Sequence, residues 1–217
     1  NINPHILFFN ELIKSDVRDI IYLSSGGAVY GNSKKSKISE NHPTKPKNPY
    51  GYGKLCIELA IQSIFAESDK RFTILRPSNP VGVHQLKSLG THGLVATVFI
   101  NTLKNKPIRV VGNGETIRDY FLVKDLCILI EKLVLFKKNK NEIINASSGE
   151  GNSINRVIEV VSEVLNKKSK IIYHGNNSEI NRNVLCNSYA KEKYDWRPES
   201  SLFKIVQDFK KDLNNRS

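Results

Sequence analysis

Tyr50 and Lys54 lie four residues apart in the run Pro49-Tyr50-Gly51-Tyr52-Gly53-Lys54. On a helix this spacing stacks both side chains on one face, one turn apart. An ammonium beside a phenol favours the phenolate, which suits a phenolic oxygen that takes a proton from substrate. The same spacing also describes a surface tyrosine beside a surface lysine, so it needs context. Upstream, Ser24-Ser25 closes an apolar run and leads into Gly26-Gly27. A hydroxyl at Ser25 could hydrogen-bond a substrate oxygen while Tyr50 moves the proton; on its own the segment is also a small-residue turn. Farther along, Arg118 follows Gly112-Asn113-Gly114. Its guanidinium matches phosphate oxygens in a bidentate manner, although an exposed arginine after a turn has the same sequence.

These residues need elements to hold them. Residues 4–15 carry a helical apolar stripe, Ile6, Leu7, Leu12 and Ile13. Asp19 to Leu23 reads as a buried strand, Tyr50 to Glu67 as a strong helix and Phe72 to Leu75 as a second buried strand. Strand, loop, helix, strand is the rhythm of a parallel α/β sheet, with the two strands as parallel neighbours. Ser25 and Tyr50 would then meet at the carboxyl edge of that sheet, where such folds bind ligands. In the second half, helices are expected at Gly93 to Leu103, Leu126 to Phe136, Ile154 to Leu165 (capped by Ser153) and Ser201 to Leu213. Short strands are expected at Ile108 to Val111, Ile143-Ile144 and Lys170 to Tyr173.

Composition bounds the function. The chain has 217 residues, 39% hydrophobic and 25% charged, an ordinary balance for a globular protein. It holds no apolar run of transmembrane length, and Asn1-Ile2-Asn3-Pro4 does not open a signal peptide. No membrane partner is expected. Cys56, Cys127 and Cys186 are widely spaced, which suits neither a disulfide framework nor a metal site; reduced thiols in the cytoplasm are the expectation. The net charge is +12. The basic residues are scattered, and the denser groups around Lys34-Lys35, Lys137-Lys138 and Lys167-Lys168 have no interleaved aromatics, so a solvated surface is favoured over nucleic acid.

Five stretches occur in order: SSGGAVYG (Ser24 to Gly31), NPYGYGK (Asn48 to Lys54), LRPSNPVG (Leu75 to Gly82), GNGETIRDYFLVKDL (Gly112 to Leu126) and YDWRPESSL (Tyr194 to Leu202). Together they resemble the extended short-chain dehydrogenase/reductase family, in particular its NAD-dependent nucleotide-sugar epimerases. The resemblance implies part of a Rossmann-type parallel sheet over residues 1–85. It implies a smaller C-terminal α/β substrate domain over 86–217, with 143–149 returning to the Rossmann sheet. It implies epimerisation of a nucleotide sugar, a UDP-hexose at C4, by transient hydride transfer to NAD. In that reading Tyr50 is the base, Lys54 its partner and the ribose contact, and Ser25 the orienting hydroxyl. Asn1 and Pro77 lie near the cofactor, and Asn79 and Arg118 bind the substrate diphosphate. No metal is implied, and the intact enzyme would be a homodimer. The resemblance disfavours the 4,6-dehydratase branch, because Ser-Gly-Gly stands where those relatives carry Thr-Asp-Glu.

The sequence also departs from the family. The glycine-loop fingerprint and the acidic ribose contact are not present, Cys186 stands where an Asp is usual, and the late nucleotide-binding arginine has only Arg182, out of register. The chain therefore reads as the catalytic and substrate-binding portion of such an enzyme, inactive by itself if truncated. The rival reading is an inactive remnant that binds a nucleotide sugar or a partner but not NAD.

Overall fold

A computed structural model describes residues 2–33, 35–86, 93–136, 141–175 and 181–215. Asn1 and the basic residues Lys34, Lys137, Lys138 and Lys140 lie outside the described residues.

Helix α1 (Asn3–Ile13) leads to strand β1 (Asp19–Leu23), a one-turn helix α2 (Gly26–Val29), helix α3 (Pro49–Phe65) and strand β2 (Arg71–Pro77). Strand β3 (Asn79–Val81), helix α4 (Leu94–Leu103), strands β4 (Pro107–Val111) and β5 (Ile117–Leu122) and helix α5 (Val123–Leu135) follow. The chain continues through β6 (Glu142–Ala146), β7 (Gly151–Ser153), α6 (Ile154–Leu165), β8 (Lys170–His174), β9 (Arg182–Asn183), α7 (Ser188–Tyr194) and α8 (Leu202–Asn214).

The first sheet has the order β1-β2-β6 and is parallel throughout. Ile20 pairs with Phe72 and Leu23 with Leu75; Leu75 pairs with Ile144 and Pro77 with Ala146. Side chains alternate along β2, so each face of the sheet collects its own core. Phe72 and Ile74 join Ile57, Ile61 and Phe65 of α3 and Phe9 of α1. Leu75, with Ile144, joins Leu129 and Leu133 of α5, Tyr194 of α7 and Trp196. Burial on both faces explains why these strands are continuous apolar runs in the sequence.

A third core lies apart from that sheet. It joins α4, α6 and α8 to Ile108 and Val110 of β4 and Tyr120 of β5. Here β5 pairs with β3 and β9 in parallel and with β7 antiparallel, while β4 pairs with β8. Ser153 caps α6 by accepting the Arg156 N–H at 3.1 Å.

Several elements differ from the sequence reading. Ser25 is the extended residue immediately before the α2 helix rather than part of a plain turn. Helix α5 starts at Val123, three residues before the expected Leu126. Strands β3, β5, β7 and β9 and helix α7 have no counterpart in the hydrophobic pattern. They are short or carry polar residues such as Arg118 and Asp119, so no run of apolar residues marks them. Strand β8 forms as expected, yet every residue in it is exposed.

Trp196 ties this arrangement together: it is 1% exposed, and its indole N–H donates to the Asp125 carbonyl at 2.9 Å. Trp196→Ala should cost about 3–5 kcal/mol, read by urea unfolding. A loss below about 1 kcal/mol would mean the site collapses around the missing ring.

Candidate active site

Helix α3 starts just ahead of Tyr50. Asn48 accepts the Gly51 N–H on its side chain at 2.8 Å, and Pro49 takes the first helical position, where its missing N–H costs nothing. Tyr50 therefore lies in the first turn and is 59% exposed. One turn later, Lys54 donates from Nζ to the Leu23 carbonyl at 2.8 Å. The same ammonium lies 5.0 Å from the Tyr22 ring centroid and 6.0 Å from that of Tyr50, within cation–π range of both. Partial burial lowers the Lys54 pKa, and the Glu58 carboxylate opposes that shift.

Two glycines let α2 sit between α3 and the end of β2. A Cβ on Gly51 would meet the Ala28 carbonyl at 2.8 Å, and one on Gly26 would meet the Arg76 carbonyl at 2.9 Å. Beneath them runs a buried polar chain. Glu58 of α3, fully buried, accepts two bonds from Arg76 Nε at 3.1 and 3.2 Å and one from Nη2 at 2.5 Å. Its Oε1 also accepts the Ser24 hydroxyl. Arg76 Nη1 donates to the Tyr30 hydroxyl at 2.9 Å, which donates to Asn145 Oδ1 at 2.8 Å. Burial pushes the Tyr30 phenol up to about 12 against the pull of Arg76. Burial also opposes the Arg76 charge, but Glu58 and Tyr30 outweigh it and hold the guanidinium above its usual range.

A cavity of about 530 Å³ opens beside these elements. Ser25, Tyr50, Pro77, Asn79 and Arg118 all line it, with Tyr120 at its wall. Five of the seven residues singled out in the sequence thus face one space. Lys54 does not line it, and Asn1 lies outside the described residues. Asn79 Nδ2 donates to the Asp119 carbonyl at 2.8 Å. Arg118 is half-buried, and its Nη1 bonds are to neutral oxygens: the Ile117 carbonyl at 2.8 Å and the Asn181 carbonyl at 3.1 Å. Burial pushes the Arg118 pKa down. Among the described residues no group of His, Cys, Asp or Glu is placed to hold a metal.

The sequence model of the NAD dependent epimerase/dehydratase family matches residues 6–147. A putative UDP-glucose 4-epimerase of Methanocaldococcus jannaschii is 31% identical over the whole of this chain and 70% of its own length. A dTDP-4-dehydro-6-deoxyglucose reductase of Escherichia coli is 32% identical over 91% of this chain and 62% of its own. The crystal structure of a Thermotoga maritima UDP-glucose 4-epimerase with UDP-glucose superposes with a TM-score of 0.87 at 26% identity, over 97% of this chain and 69% of that one. This chain belongs to the NAD dependent epimerase/dehydratase family. It spans about two thirds of the length of such relatives.

For a family member, the sequence reading found the residues that face the cavity and missed those that hold them. The local signals were slight: Glu58 is a carboxylate one turn beyond Lys54, between the buried Ile57 and Ile61, and Arg76 is a cation near the end of a strand buried from Phe72 onward. Asp119, 0% exposed, was also missed. It accepts the Ser148 and Gly149 N–H groups at 2.9 and 3.0 Å and the Ser78 hydroxyl at 3.2 Å, joining the ends of β2, β5 and β6. Burial raises its pKa in spite of those bonds. Asp119→Asn puts an amide N–H against one of these donors. It should lose about 1–3 kcal/mol in urea unfolding, the cost of a buried unpaired group; unchanged stability would show that Asp119 does not tie these strand ends.

Proposed function

We propose that this chain is the catalytic and substrate-binding portion of an NAD-dependent nucleotide-sugar epimerase acting on a UDP-hexose at C4. The observation that carries this reading is the single cavity lined by Ser25, Tyr50, Pro77, Asn79 and Arg118. Residues 1–85 would supply the nicotinamide side and residues 86–217 most of the nucleotide-sugar side. NAD, when bound, accepts a hydride from the sugar carbon and returns it.

The other roles belong to this chain. The Tyr50 phenolic oxygen takes the proton from the sugar hydroxyl during oxidation and gives it back on reduction. The Lys54 ammonium, fixed by the Leu23 carbonyl, stabilises the phenolate and faces the ribose. Ser25 holds the sugar oxygen. Arg118 and Asn79 would bind the diphosphate, an anionic partner for a guanidinium whose Nη1, among the described residues, donates to neutral oxygens. Pro77, at the end of β2, would pack against the nicotinamide. The residues fit that cofactor half: an exposed phenol, a fixed ammonium and a strand end share one edge of the sheet.

The intact enzyme would be cytoplasmic and homodimeric. Among the described residues no helix is long and apolar enough to cross a membrane. Leu7 and Phe8 on α1, and Tyr52 and Leu59 on the adjoining α3, are more than half exposed, which would suit a second copy. A second reading, net reduction of a 4-dehydro nucleotide sugar, is favoured by the similarity to the Escherichia coli reductase. It would use the same pair with stoichiometric loss of reduced cofactor.

Both readings are tested in a polypeptide carrying a glycine-loop segment ahead of Asn1. Tyr50→Phe should nearly abolish turnover and leave nucleotide-sugar binding intact, since it removes only the hydroxyl that moves the proton. Arg118→Ala should instead weaken binding about ten- to a hundredfold, the equivalent of losing a charged hydrogen bond worth about 1.5–3 kcal/mol. Normal turnover in Tyr50→Phe would end the epimerase reading. Steady consumption of reduced cofactor would select the reductase.

A further inference from the structure

We propose that Glu58 is a positioning residue for the catalytic pair: its buried carboxylate locks α3 to the ends of β1 and β2 and sets the field in which Lys54 works. The inference rests on Tyr50 and Lys54 acting as that pair.

The geometry points to Glu58 for three reasons. It follows Lys54 by one turn and Tyr50 by two, so all three share one side of α3. Its carboxylate is fully buried and binds two strand ends at once. Ser24 precedes Ser25, and Arg76 precedes Pro77, so each clamped residue is the chain neighbour of a cavity residue. A buried ion pair adds little net stability compared with an apolar pair of the same volume. What it adds here is directional: a bidentate guanidinium–carboxylate contact fixes the rotation of α3 about its axis, which apolar packing of Ile57 and Ile61 leaves softer.

Electrostatics adds a second effect. The Lys54 ammonium faces Glu58 and Tyr50 on its own helix, and Tyr22 and the Leu23 carbonyl on β1. Among these groups Glu58 is the full negative charge that opposes the burial of Lys54. Arg76 on β2 pairs with that carboxylate at 2.5 Å. Glu58 thus favours the charged form of Lys54 against the effect of burial.

The test is the pH dependence of Lys54 acylation by an amine-reactive ester, resolved by peptide mass spectrometry, in this chain and in Glu58→Gln. The midpoint should fall by on the order of one pH unit in the variant, the effect of removing a neighbouring opposite charge. Because Glu58→Gln strands the Arg76 cation and can unfold the protein, Glu58→Gln/Arg76→Gln is measured beside it. With both charges gone the midpoint should still fall, by a smaller amount, since Glu58 is the charge that acts on the Lys54 ammonium. A residue that only stabilised the fold would lower the melting temperature and leave the midpoint unmoved. An unmoved midpoint in either folded variant overturns the proposal. Acylation needs no turnover, so this outcome is independent of whether Tyr50→Phe retains activity. In the polypeptide carrying the glycine-loop segment, the double variant should also lose kcat about tenfold or more with KM changed less than about threefold; a KM effect alone would likewise overturn it.

Discussion

The contact between Glu58 and Arg76 is the constraint on which the site depends. Two charges removed from water are tolerated only when every donor and acceptor around them is paired. The surrounding residues meet that demand: Ser24 and Arg76 bind the carboxylate, Tyr30 takes the far end of the guanidinium, and Asn145 accepts from Tyr30. Each of these residues comes from a different element. The requirement to satisfy one ion pair therefore fixes α3, the ends of β1 and β2, the segment after α2 and β6 relative to one another. Asn145 extends the chain further, donating to the carbonyls of Ile38 and Cys186 at 3.0 and 3.3 Å. That links the long segment before α3 and the segment after β9 to the same centre.

Small residues complete what the ion pair begins. Helix α2 fits between α3 and β2 only because Gly26 and Gly51 lack side chains at the points of closest approach. The double glycine after Ser25 has a definite physical reason at Gly26, where a methyl group would strike both the Arg76 carbonyl and Leu185. At Gly27 the nearest atom to a Cβ is 3.4 Å away, so that position is under less pressure. The helix that follows Ser25 thus stays close enough to the sheet for the serine to face the cavity.

What the sequence made legible follows from this division of labour. The strands of the first sheet were readable because burial on both faces forces continuous apolar runs at Asp19–Leu23 and Arg71–Pro77. Tyr50 and Lys54 were readable because helical spacing is a local property. The positioning residues were not, because their meaning is nonlocal: Glu58 becomes a clamp only when Arg76, 18 positions away in sequence, is brought beneath it. Strand β5 was hidden for a related reason. Its polar residues are held by partners far along the chain, Ser148 and Asn181, and no pattern within Ile117–Leu122 announces them.

Within β5 the alternation of a strand separates two tasks that the sequence sets side by side. Arg118 and Asp119 are adjacent and opposite in charge, a pair that on a flexible segment would neutralise itself. On a strand, neighbouring side chains leave on opposite faces. Asp119 turns inward, is fully buried and is surrounded by N–H and hydroxyl donors at the ends of β2 and β6. Arg118 turns to the cavity, and among the described residues its Nη1 donates to neutral oxygens. The backbone thus keeps the carboxylate from quenching the guanidinium. It leaves a half-buried cation facing the space that Tyr50 and Ser25 share, in line with the diphosphate-binding role proposed for Arg118.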